Sequence, residues 1–188
     1  MSLPNILLGM LDEPASGYDL AREFRQSLNH FWRAELAQIY PALNKLERDG
    51  LLASRSEASE KGPARRVYRR TAKGTRQLRK WLSGPPVVGH ERLGHLAKIY
   101  FFDQLNDAPV TREYFVQLKA YFEDWLSGLK AVEAGWMAED PRYPDALPDE
   151  AFYKQMTLRN GLIVLAARIE WAGECIARID SRSKSSAA

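Results

Sequence analysis

The sequence predicts a mainly α-helical protein in two parts: a small helical domain completed by one β-hairpin, then an all-α domain of long helices. Three observations predict it. Residues 38–52 form an amphipathic helix stopped by a glycine, and a basic alternating hairpin follows it. Ser83-Gly84-Pro85-Pro86 then breaks the chain. Beyond the break run two long apolar seams of heptad spacing.

In the helix Gln38–Arg48, Ile39, Leu43 and Leu46 fall at i, i+4 and i+7 and make one apolar stripe. Ala37, Pro41, Asn44, Lys45 and Arg48 fall on the other side, a face read as free of carboxylates that can donate to phosphates and base edges. Gly50 ends the helix. Pro41 is read as lying early enough for its missing N–H to cost little. Leu51–Glu57 alternates in part, 58–64 reads as a turn around Lys61-Gly62-Pro63, and Arg65-Arg66-Val67-Tyr68-Arg69-Arg70 alternates and is strongly basic. Helix followed by basic hairpin is the order of a winged helix-turn-helix, whose recognition helix enters the major groove while its wing reaches phosphates or the minor groove. Alternation sends Arg66 and Tyr68 to one face and Arg65, Val67 and Arg69 to the other. Arg65 and Arg66, nearest the tip, are the expected wing contacts.

Upstream, Leu3–Leu11 reads as a first helix. Ser16 reads as the N-cap of a second, Tyr18 to about Leu28. Trp32 is expected to brace this domain. Thr71 reads as the N-cap of a fourth helix ending near Leu82. The boundaries expected are 1–86 for the winged domain, 87–182 for a helical dimerisation domain and 183–188 for a polar tail.

In the second part, Leu93–Leu105 is apolar on several sides and is expected to be largely buried. Phe115, Leu118, Phe122, Trp125, Leu129, Val132 and Trp136 are spaced alternately by three and four residues. Leu158, Leu162, Leu165, Ile169, Ala172, Ile176 and Ile179 repeat the device. Such seams pair within one chain or with a second copy. Tyr114, Tyr121, Leu126, Ile163, Val164 and Trp171 lie off them, a surplus that points to an interface. Phe115, Phe122, Trp125, Leu129, Leu158, Leu162, Leu165, Ile169 and Ile176 are the expected homodimer residues. A two-fold dimer places two winged domains on double-stranded DNA about one helical turn apart.

Charge divides along the same boundary. Residues 1–86 carry 15 Lys and Arg against 9 Asp and Glu, and 87–188 carry 12 against 15. The first part suits a polyanion and the second does not. No stretch approaches the roughly 18 apolar residues of a membrane span, and the N-terminus lacks a signal-peptide pattern. Cys175, the single cysteine of 188 residues, permits no internal disulfide and reads as a structural thiol, so a cytoplasmic setting is expected. His90, Glu91 and His95 miss the His-Glu-x-x-His spacing, so neither metal nor cofactor is expected, and no nucleophile elbow or phosphate loop suggests an enzyme.

The chain resembles the PadR family of bacterial transcriptional regulators. The residues are Gly17-Tyr18-Asp19-Leu20, Gln38-Ile39-Tyr40-Pro41-Ala42-Leu43, Leu46-Glu47-Arg48-Asp49-Gly50-Leu51, and Tyr68, Thr71 and Gly74, matching in order along residues 3–82. The helical second half looks like the C-terminal domain of the longer members. The resemblance implies a homodimer, most often a repressor, and some members sense small aromatic compounds such as phenolic acids. It places Gln38, Tyr40, Pro41, Asn44 and Lys45 on the recognition helix and Lys61, Arg65 and Arg66 on the wing. The competing reading is a winged-helix adaptor that binds protein, for which Lys45→Ala with Arg65→Ala leaves partner binding intact.

Overall fold

The computed structural model describes residues 3–28, 31, 32, 34, 36–59, 62–86 and 93–186. The chain forms two compact units, 1–89 and 90–188.

The first unit begins with α1 (Leu3–Met10), whose Leu7 and Leu8 are fully buried. Strand β1 (Ala15–Ser16) follows, then α2 (Gly17–Ser27). Ser16 adopts extended backbone, and its hydroxyl oxygen accepts from the Asp19 N–H at 3.1 Å, one of the donors a helix start leaves without a partner. Helix α3 (Leu36–Arg48) buries the expected stripe of Ile39, Leu43 and Leu46. Pro41 lies sixth in it, deeper than expected. It therefore removes a helical bond, the one to the Ala37 carbonyl. Both residues are exposed, so water can serve that carbonyl.

Gly50 closes α3 at φ +71°, a left-handed conformation that glycine adopts without Cβ strain. The Leu51 N–H reaches the Leu46 carbonyl and the Gly50 N–H the Glu47 carbonyl, each at 2.9 Å. This pair of bonds turns the chain directly into β2 (Leu52–Ser59). Strand β3 (Gly62–Arg70) returns antiparallel, with Ser54 opposite Tyr68 and Ser56 opposite Arg66. The strands are longer than the sequence suggested, and β1 adds a third, pairing Ser16 with Val67. A two-residue strand that follows Pro14 and ends on the helix cap itself has no periodicity to betray it. Thr71 caps α4 (Ala72–Leu82), accepting from the Gly74 N–H at 3.1 Å. The core joins α1, α2, α3, Leu52, Tyr68 and Leu78, with Trp32 packed against it.

In the second unit, α5 (Gly94–Ile99) and a short 3-10 turn (Phe102–Gln104) precede two long helices, α6 (Ala108–Glu139) and α7 (Asp149–Ser186). Arg112, near the start of α6, pairs with Asp180, near the end of α7, at 2.7 Å, so the two helices form an antiparallel hairpin. Helix α7 runs past residue 182, where a tail was expected. Leu93–Leu105 departs from its expected burial: Leu96 is 41 % exposed, Tyr100 80 % and Phe101 57 %. A helix of under two turns offers no stripe long enough to seat all its apolar residues.

The seam residues proposed for a dimer interface lie inside this hairpin. Phe115, Phe122, Leu129, Leu158, Leu162 and Leu165 are buried within the single chain. Trp125 and Ile169 pack against the same core, and Ile176 is half-buried. Matched heptads satisfy each other first when a short loop joins them, because the pairing needs no second molecule. Most exposed apolar groups of the hairpin lie off the seams, among them Ile163 and Val164, although Val132 of the first seam is 44 % exposed.

Leu43 has no solvent exposure, so Leu43→Ala removes buried methyl groups and leaves a cavity. The expected loss is about 2–5 kcal/mol, read from the urea midpoint of the first unit's unfolding.

Candidate nucleic-acid interface

Burial of Ile39, Leu43 and Leu46 turns the opposite side of α3 outward. Gln38, Tyr40, Pro41, Asn44, Lys45 and Arg48 are all exposed there. The six expected groups of the helix therefore share one solvent-facing surface. Tyr40 is 41 % exposed and also packed: a Cβ built on Gly17 would lie 2.6 Å from its ring. The first residue of α2 is thus a seat for the Tyr40 ring, and a side chain there would displace it. Both readings of Tyr40, contact and packing, meet in one position.

The face is less free of carboxylates than its spacing suggested. Lys45 Nζ lies 2.7 Å from Asp49, one turn on, and both side chains are well exposed. Exposed pairs of this kind are weak and a phosphate can displace them. Glu47 is the more consequential group. Its Oε1 accepts from the Ser54 hydroxyl of β2 at 2.6 Å, and its Oε2 pairs with Arg66 of β3. The Arg66 Nε donates to Ser54 Oγ at 2.8 Å, and Nη1 points to Asn44 Oδ1 at 3.4 Å. The guanidinium also lies over the Tyr68 ring, 5.4 Å from its centroid. The hydrogen bond from Ser54, then the bond and charge of Arg66, hold the Glu47 carboxyl below its ordinary range. Burial pushes the Tyr68 hydroxyl the other way, up.

The expected wing residues therefore separate. Arg65 is exposed and lies 3.5 Å from Glu57, which also pairs with Arg55 at 2.7 Å. Arg66 is turned toward α3. Lys61 lies outside the described residues, as do His90 and Glu91. Arg70, at 16 % side-chain exposure, donates to the Leu8 carbonyl at 2.7 Å and to Asp12 at 3.1 Å, tying the hairpin to α1. Lys73 of α4 donates to the Asp49 carbonyl at 2.7 Å, placing a cation at the negative end of α3.

Sequence reading missed Glu47, Ser54, Arg55 and Gly17. Arg55 was discoverable from the hairpin alone, as a basic residue on the outer face of β2. The other three act through contacts across 7 to 23 positions of sequence, which no local pattern carries.

Among the described residues no group of three or more His, Cys, Asp and Glu side chains converges as a metal site would require. No described helix is long and apolar enough to cross a membrane. Cys175 is half-buried, and burial is the main cause raising its thiol above the ordinary value, which disfavours the thiolate.

A three-helix core, a capped helix with one face outward and a paired basic hairpin define a winged helix-turn-helix protein. Residues 6–80 match the model of the transcriptional regulator PadR-like family, and residues 92–180 match that of the virulence activator α C-terminal domain. The chain belongs to the PadR-like family of transcriptional regulators. The negative transcriptional regulator PadR of Bacillus subtilis is 27 % identical over 176 residues, covering 93 % of this chain and 95 % of that protein. The crystal structure of Bacillus subtilis PadR in complex with operator DNA matches at a TM-score of 0.81 and 25 % identity, over 95 % of this chain and 99 % of that one. Bacillus subtilis PadR in complex with p-coumaric acid matches at 0.77 and 26 %, over 96 % and 99 %.

The network around Glu47 has a pH signature. Its folded value lies below its ordinary 4.5, so the stability it contributes is complete above that pH and is lost as pH falls through the lowered value. Glu47→Gln cannot titrate, and its urea midpoint should fall less between pH 6 and pH 3 than that of the native chain.

Proposed function

We propose that this protein is a cytoplasmic, sequence-specific DNA-binding repressor. It acts as a homodimer on a pseudo-palindromic operator and is released by a small aromatic effector. The exposed face of α3 carries the reading. It holds amide, phenol and cationic groups on a helix whose other side is locked into a core, within a fold that matches an operator-bound relative along nearly its whole length. Residues 1–86 are the DNA-binding domain and 87–182 the dimerisation domain.

In this reading Gln38, Tyr40, Pro41 and Asn44 face base edges and sugar, while Lys45, Arg48, Lys61 and Arg65 meet phosphates. Lys45 exchanges its pairing with Asp49 for a phosphate. The crystal structure of a relative in complex with p-coumaric acid supports a small aromatic effector, and such an effector weakens DNA binding only by preferring a dimer geometry that misfits the operator.

Genome-wide footprinting of the bound protein tests the whole reading, and one or a few palindromic sites at physiological salt are expected. On such a site, Arg65→Ala should weaken binding and reduce the log–log salt slope by about 0.9, one phosphate's share. Binding that is indifferent to salt would instead favour the protein-binding adaptor.

The dimer surface lies mainly off the seams, because most seam residues are covered within each chain. Ile163, 55 % exposed, and Val164, 37 % exposed, belong to it. Ile163→Glu should shift sedimentation velocity from dimer toward monomer with little change in helix content, whereas Leu162→Ala should destabilise the unit itself.

A further inference from the structure

We infer that Glu47 and Arg66 set base specificity by holding Asn44 with only its amide donors outward, so that Asn44 reads an edge of acceptors, guanine before adenine. The inference rests on the DNA reading above and deepens it. Side chains from three elements carry it. Ser54 of β2 donates to Glu47 of α3 at 2.6 Å, Arg66 of β3 donates to Ser54 at 2.8 Å and pairs with Glu47, and its remaining Nη1 faces Asn44 Oδ1 at 3.4 Å. The guanidinium rests over the buried Tyr68 ring.

A guanidinium has five N–H donors and accepts nothing. Asn44 therefore turns its carbonyl oxygen toward Arg66 and its Nδ2 away. Asparagine recognises adenine by accepting from N6 and donating to N7, and so needs both ends of its amide. With the carbonyl end turned toward Arg66, one of its two lone pairs is taken and the oxygen is drawn away from adenine N6, which weakens one of the two adenine bonds. Guanine presents N7 and O6, both acceptors, and suits the donors that remain.

The same ring explains a carboxylate on a DNA-facing helix. Arg66 offsets the Glu47 charge, which would otherwise repel phosphate. Arg66 is then a positioning residue, acting on base choice through Asn44 rather than by touching phosphate. This sets it apart from Arg65, whose pairing partner is Glu57 of its own hairpin.

The test is selection of bound duplexes from a randomised double-stranded DNA library. It uses the full-length protein and its Asn44→Ala, Glu47→Gln and Arg66→Ala variants, with folding checked by circular dichroism. The readout is the guanine-to-adenine preference at the position that Asn44→Ala flattens. A ratio between duplexes is blind to a uniform loss of affinity, such as Arg66→Ala causes by uncovering Glu47. The native protein should prefer guanine there, and both ring variants should move the ratio toward adenine by about tenfold. The two variants break the ring from opposite ends, so either reports if the other does not fold. An unchanged ratio in both, adenine already preferred by the native protein, or no position flattened by Asn44→Ala would each overturn the inference and leave the DNA reading standing. If the native protein selects no sequence at all, the DNA reading fails and this inference fails with it.

Discussion

Burial of the Ile39, Leu43 and Leu46 stripe is the constraint on which the first unit depends. The three side chains are almost entirely removed from water. Rotating α3 to hide its polar face would expose all three, at roughly 1.5–3 kcal/mol each. The helix thus has one orientation available to it. That orientation sends Asn44, Lys45 and Arg48 outward, and the glycine turn after Arg48 delivers the chain into β2 beside the helix it has just left. Placement of the wing against α3 follows from the same stripe.

The hairpin is not an independent arm. Arg70 holds it to α1 through the Leu8 carbonyl, β1 pairs with its inner strand, and the ring of Ser54, Glu47 and Arg66 joins both of its long strands to α3. A reading helix works only if its side chains are presented in fixed directions, since a bond to a base edge tolerates little displacement. Tyr40 is seated on Gly17 and Asn44 is met by Arg66, so two of the exposed groups on α3 are oriented by residues outside it.

The second unit follows a different logic. Its two seams are long, continuous and joined by a short loop, and they close on each other. The seam residues buried in the hairpin meet each other within one chain and are covered there. The apolar groups left in water are spread over α5, α6 and α7.

The sequence by itself determined the elements whose signals are local. The stripe at i, i+4 and i+7, the caps at Ser16 and Thr71, the stop at Gly50 and the heptads of α6 and α7 are all written within a few turns of chain. They sufficed for the fold class and for the outward face of α3. Tertiary structure alone decided where long-range partners fall. Arg65 and Arg66 are adjacent and chemically identical, yet strand alternation and the register of β3 against β2 carry one to Glu57 and the other to Glu47. The two-residue strand β1 and the exposure of α5 were likewise illegible, and the choice between the two pairings open to the seams was undecided, because each depends on what another segment covers. Periodicity states which face is apolar. Only packing states what that face meets.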